Sequence, residues 1–406
     1  MPSCSMTTRS GLEAKLAAMP PERRELARRL LAQRGVDVSF GPTRGPDDGT
    51  SLGEVVLYPE PGEWAAHHTA VEVELDSRVE PELLAASVKH VAERHGLAFA
   101  EAVDVTGAPF SADGPLLRAS MAPTSLVLCG HDLAVDRLSL RLFVREVLAR
   151  YTGGRSAALP VRFADVRRWR AQTLADGGFD EQLAHWRKAL KPVPSRSATG
   201  GSKVGHRIDV PLAKADLATV ARFAQDHGCS VLAVWTAVWS STLRADEPFA
   251  IGCCLTGRNH ESTQDVIGPM ANPVLLPFDL RDSPSFLDLV GRARSVIADA
   301  VPNSDVPVNV VLANAAPHLT EDDVRSVTIG HMEDEEESFT AGPVRATVRD
   351  VYLGYAKEAL RLEITPDRAR IEFRPSRHSE PSVAELADRV ATNLQLAVCR
   401  ADRTRM

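Results

Sequence analysis

The chain has 406 residues, 44% hydrophobic and 25% charged, an ordinary composition for a globular protein with room for two cores. Its 47 Lys and Arg against 54 Asp and Glu give a net charge of -7 with no long basic run, which argues against a nucleic-acid partner. The start "MPSCSMTTRSGLEAKL" lacks an apolar signal core and no stretch reaches about 18 apolar residues, so no membrane association and a cytoplasmic location are expected.

Residues 10–35 predict two short amphipathic helices, broken at Pro20-Pro21 and stopped by Gly35. "GPTRGPDDGTS", residues 41–51, is a linker by composition, so residues 1–50 read as a helical leader and linker. Strands and helices alternate from there on. "HTAVEVELD" has the period-two pattern of a half-buried strand. His67 and His68 at its head mimic an H-H-x-x-x-E motif, but no helix follows where such a motif needs one. They read as polar residues of the strand. "EPELLAASVKHVAERHG" predicts a helix stopped by Gly96.

In "SLVLCGHDLAVDRLSL", residues 125–140, a short apolar strand runs into a helix. His131 stands at the strand end with Asp132 beside it, and Asp136, Arg137 and Ser139 open the helix. An acid at a helix N-terminus satisfies free backbone N–H groups, which gives Asp136 a structural explanation. Imidazole titrates near neutral pH, so His131 could serve as a general base, with Asp132 orienting it or acting as a base if buried.

Two more helices, "FADVRRWRAQTL" and "FDEQLAHWRKAL", precede a composition shift at Pro192 and Pro194. That shift divides the main body into lobes of residues 51–195 and 196–406. In the second, "HRIDVPL", "FAIGCCLTGR", "NPVLLPFDL", "VPVNVVLAN", "SVTIGHM", "VRDVYLGYAK", "ALRLEIT" and "ARIEFRP" predict strands. Helices are expected in "AKADLATVARFAQDHG", "SFLDLVGRARSVIADAV", "SVAELADRVATNLQLAV" and the strongly apolar "CSVLAVWTAVWSSTLR", whose Trp235 and Trp239 mark a core face. The acidic run from Glu333 to Glu337 reads as a solvated loop between strands. The six cysteines form no C-x-x-C pair and read as reduced, mostly buried thiols, with no metal site.

The 131–139 stretch resembles the core motif of the condensation domains of nonribosomal peptide synthetases, H-H-x-x-x-D-G. These domains group with chloramphenicol acetyltransferase and carnitine acyltransferase. His131 takes the first histidine, Asp132 the second, Asp136 the aspartate, Arg137 the glycine, and Ser139 a serine that often follows. "VAERHG" resembles the helix end that reads A-R-H-E, and the two Trp-containing helices resemble the family's pair. "IGCCLTGRN" resembles V-G-x-x-x-x-G-R through Gly252, Gly257 and Arg258. "IGPMANPVLLPFDL" resembles I-G-x-x-x-N-x-L-P through Ile267, Gly268 and Asn272. The resemblance covers residues 50 to 400.

It implies an α+β fold of two chloramphenicol-acetyltransferase-like lobes in a V, a pseudo-dimer with His131 facing a central tunnel. It also implies a stand-alone acyltransferase that joins an acyl thioester to a small-molecule amine or alcohol nucleophile. No cofactor is implied as bound: the acyl group rides on the phosphopantetheine of a partner acyl or peptidyl carrier protein. His131, Asp132 and Asp136 are the implied catalytic set, with Arg137, Ser139, Asn272 and Arg258 toward the substrate. An ion pair between Asp136 and Arg258 is implied as well.

The departures are specific. The second histidine, which in the family deprotonates or positions the attacking amine, is Asp132. The motif glycine is Arg137. "SLGEVVLYPE" lacks the Gln and Arg of the family's opening S-x-A-Q-x-R, and Phe99 stands where an arginine follows the helix end. The D-x-x-x-x-D-x-x-S of heterocyclising relatives is matched only at Asp136 and Ser139. A catalytically silent relative that recruits a partner enzyme to a carrier protein is the alternative, and a coenzyme A acyltransferase a third.

Overall fold

Alternation of apolar and polar residues builds the first strand, β1 (His68–Leu75), which buries Val71, Val73 and Leu75 and exposes Glu72 and Glu74. The computed structural model describes residues 42 and 64–403, apart from 103–104, 106–109, 112–113, 155–157, 197–199, 244–245 and 333–335. The expected leader helices, the linker and the "SLGEVVLYPE" segment lie outside the described residues. Helix α1 (Pro81–His95) opens on its proline and ends at Gly96 in the left-handed region, φ 71°. Strands β2 (Phe99–Glu101), β3 (Leu117–Ala122) and β4 (Ser125–His131) follow, and β4 feeds α2 (Arg137–Tyr151).

Helices α3 (Phe163–Ala175) and α4 (Asp180–Leu190) are the two Trp-containing helices. Then come β5 (His206–Asp209), α5 (Lys214–Asp226), α6 (Val231–Leu243), β6 (Phe249–Leu255), β7 (Asn272–Phe278), α7 (Phe286–Ala300), α8 (Val308–Asn314) and α9 (Glu321–Ser326). The chain continues through β8 (Val327–His331), β9 (Glu336–Ala341), β10 (Val344–Val351), β11 (Leu360–Ile364) and β12 (Ala369–Phe373) to α10 (Glu380–Arg403). The α+β architecture is two six-stranded sheets, ordered β2-β3-β4-β1-β10-β9 and β5-β12-β11-β8-β6-β7, each backed by helices around its own core. Trp235 and Trp239 on α6 are fully buried in the second core, as their spacing predicts.

Two expectations need correction. "VPVNVVLAN" is a helix rather than a strand: Pro307 starts α8 at its N-cap, and the Val308 N–H donates to Asn272 Oδ1 at 3.1 Å. A short apolar run cannot be assigned to strand or helix by period alone. The division at residue 195 does not separate the sheets. Strands β9 and β10, from the second half, complete the first sheet, where β10 pairs with β1 from Ala70↔Val351 to Leu75↔Ala346. Conversely, Leu183, Trp186 and Leu190 of α4 pack into the second core. Glu336 and Glu337 of the acidic run accordingly lie on a strand of this crossover hairpin.

A cavity of about 130 Å³ lies between Val193, Phe249, Leu275 and Val327, at the start of β6. The motif contacts the other end of β6, through Arg258, so this cavity is remote from His131.

Candidate active site

The pairing of β1 with β4 puts His68 opposite His131, with Gly130 opposite Thr69. Three histidines therefore meet at one sheet end. The His131 ring lies 6.1 Å from His67 and 5.8 Å from His68, centre to centre, and Phe110 closes the group edge-on at 6.1 Å. His67 and His68 thus belong to the site, which the sequence reading missed. The signal was available: a strand pair in this register carries the head of one strand to the end of the other.

His131 is fully buried, and its Nδ1 accepts the Leu133 N–H at 3.1 Å. The neutral ring then carries its proton on Nε2. Burial lowers the pKa of His131 to about 4, against an opposing pull from Asp132. Burial, aided by Arg118, likewise lowers His68 to about 4. His67 is lowered by burial too, with Asp132 working against it. At neutral pH the cluster is uncharged.

Asp132 has a crowded carboxylate. Its backbone N–H donates to His67 O at 2.9 Å, and His67 Nδ1 meets its Oδ2 at 3.2 Å. Thr69 Oγ1 donates to Oδ1 at 3.4 Å. Lys357 Nζ lies 2.7 Å from Oδ1 and 2.5 Å from Oδ2. Burial alone would raise the Asp132 pKa, but the Lys357 charge and the His67 hydrogen bond outweigh it and hold the carboxyl well below the usual range. Asp132 is an ion-pair anion and a poor base. Lys357 had no distinguishing signal in "YAKEAL", and it reaches Asp132 only because the chain returns across the motif.

Asp136 caps α2, accepting the Ser139 N–H at 2.7 Å. Arg258 grips it bidentately at 2.9 and 3.1 Å, and the N–H groups of Met270 and Ala271 donate to it at 3.0 Å each. The pairing of Asp136 with Arg258 implied by the family resemblance is therefore present, and both residues are buried. Gly257 makes the grip possible: its φ is 65°, and a Cβ there would stand 1.8 Å from Met270 O.

Several of the residues assigned to the substrate have protein partners. Ser139 Oγ donates to Gly268 O at 2.7 Å and accepts from Gly268 N and from Arg258. Asn272 donates to the carbonyls of Ser304 and Val306 at 2.8 and 2.9 Å and accepts from Val308 N–H. Ser139, Arg258 and Asp136 spend their polar groups on holding the two halves of the chain together, and Asn272 spends its own within the second half. Arg137 Nε donates to Asp350 at 2.5 Å.

Buried Cys129 and Cys253 have thiols pushed up to about 12 by burial, while Cys229 is half-buried and Cys254 exposed. Among the described residues, no group of three or more His, Cys, Asp or Glu is arranged to hold a metal ion. Nor is any of their helices long and apolar enough to cross a membrane.

A family model described as Condensation domain matches residues 107–399. The chain belongs to the condensation-domain family. Malpibaldin synthetase of Mortierella alpina is 25% identical over 292 residues, 65% of this chain but 5% of that protein. The chain thus spans a small fraction of this relative. The X-domain from teicoplanin biosynthesis superposes with a TM-score of 0.70 at 19% identity, covering 86% of this condensation domain and 97% of the X-domain. The X-domain in its complex with OxyB gives 0.68 at 19%, covering 86% and 95%. VibH, a nonribosomal peptide synthetase condensation enzyme, gives 0.67 at 12%, covering 84% and 93%. These likenesses are of fold.

Proposed function

We propose that this condensation domain binds an acyl chain tethered to the phosphopantetheine of a carrier protein and presents it to a partner enzyme, without making the bond itself by general-base catalysis. One observation carries the reading: Lys357 and His67 occupy the carboxylate of Asp132, the residue at the motif position where the family has its second histidine. A carboxylate held ionised by an ammonium at 2.5 Å neither takes a proton from an incoming amine nor has its lone pairs free to orient one. The remaining imidazoles are weak bases, with His68 and His131 lowered to about 4, and His131 already uses Nδ1 as an acceptor. The fold shared with an X-domain that forms a complex with OxyB supports a recruiting role. The stand-alone acyltransferase reading calls for a group at the second motif position that deprotonates or positions the nucleophile, and the ion pair weighs against it.

The test is to incubate the protein with acyl-loaded carrier protein and a panel of small amine and alcohol nucleophiles. Binding is followed by calorimetry and products by intact-mass spectrometry. Saturable binding without condensed product is the expected result. Product formed at a rate that drops in His131→Ala would restore the acyltransferase reading.

A further inference from the structure

The two motif positions that depart from the family pattern, Asp132 and Arg137, find their partners on one stretch of chain. Asp350 takes Arg137, and Lys357 takes Asp132. The polarity is reciprocal: the motif offers an acid to a base and a base to an acid. The family's histidine and glycine could form neither pair, since a neutral imidazole carries no charge for Lys357 and glycine has no side chain for Asp350.

The stretch between these pairs is where the chain passes from one sheet to the other. Val351 is still paired with Ala70 in the first sheet, and Leu360 already lies beside Val327 in the second. In between, the backbone is attached to the second lobe. Gly205 N–H donates to Gly354 O at 2.9 Å, Ala356 N–H donates to Lys203 O at 2.8 Å, and Arg207 stacks over the Tyr352 ring at 3.6 Å. Attachment to the second lobe is therefore by main chain and by the Arg207–Tyr352 contact, and attachment to the motif is by charge.

We propose that the Asp132–Lys357 and Arg137–Asp350 pairs act together as a two-point ionic clasp on the Asp350–Lys357 segment, Arg137–Asp350 holding its first-sheet end against α2 and Asp132–Lys357 tying the end attached to the second lobe to the motif. The paired side chains are 22 to 34% exposed, between a buried and a surface pair, so the clasp keeps part of its strength in water and yields to salt. Arg141, whose guanidinium lies 3.4 Å from Asp350, supports the same anchor. The clasp concerns the joining of the lobes and stands whether or not the domain condenses anything.

Amide exchange tests it, with Ala356 N–H as the reporter, read in wild type, Lys357→Met and Arg137→Met. If the segment opens as a unit, either variant accelerates exchange at Ala356 by about tenfold, although Arg137 lies at the far end of the segment. Raising the salt concentration brings wild type toward the variants. Amides of the central β1–β4 pair serve as the control for global unfolding and stay unchanged. Acceleration confined to the end whose pair is lost, or none in either variant, would overturn the clasp. A variant whose β1–β4 amides also accelerate is replaced by the milder Lys357→Gln or Arg137→Lys, read by the same criterion.

Discussion

Two aspartates four residues apart do different work because their surroundings differ. Asp136 is buried, bidentate to Arg258 and bonded to three backbone N–H groups. Replacing it with Ala strands the Arg258 guanidinium and uncaps α2, so a loss of about 3–5 kcal/mol in urea unfolding is expected. A loss under about 1 kcal/mol would mean the pair is not structural. Asp136 was legible in the sequence because helix capping is local. Asp132 was legible as a departure but not as an ion pair, since its partners lie 65 and 225 residues away. His67 was misread for the same reason: its meaning depends on the register of β1 against β4, which no local pattern states.

At the level of elements, Asn272 is the peg between β7 and α8. It satisfies the carbonyls of Ser304 and Val306 and the N–H of Val308 at once, all in a buried setting. Asn272→Ala leaves those groups unpaired, with an expected cost of about 3 kcal/mol in chemical denaturation and unchanged affinity of the folded fraction for carrier protein. Unchanged stability with lost affinity would return Asn272 to the substrate side. The helix α8 itself was mistaken for a strand because Val308–Asn314 is short and apolar, where periodicity carries little information. Helices with caps and stops, such as α1 with Gly96, were readable to within a residue or two.

For the whole molecule, the histidine cluster sets an acid limit. His68 and His131 are lowered to about 4 in the folded state, against 6.5 for an ordinary imidazole. The unfolded chain therefore binds more protons between these values, and stability falls as pH drops from about 6.5 toward 4. The Asp132 shift acts lower still: its contribution is intact above the ordinary carboxylate range and is lost only below it. Urea midpoints should fall by an amount worth up to about 3 kcal/mol per histidine between pH 7 and 4. His131→Asn keeps an acceptor for Leu133 N–H and removes one titrating group, so its profile should be flatter. An identical profile in that variant would mean that other groups set the acid limit. The two-sheet class was legible from alternation along the chain. The exchange of β9–β10 and α4 between halves was not, since strand partners are chosen by tertiary packing.

That exchange has a consequence for how the protein is made. A ribosome releases the chain from its N-terminus, so β1 to β4 and α2 are available long before β10. Until residue 351 has emerged, one edge of β1 has no partner in its sheet, and an open edge of this kind invites pairing with other chains. The first sheet is begun early and finished late, after most of the second core has already been synthesised. Its closing strand arrives immediately before the Tyr352–Lys357 stretch, so sheet completion and the joining of the lobes at the motif fall at the same moment of synthesis.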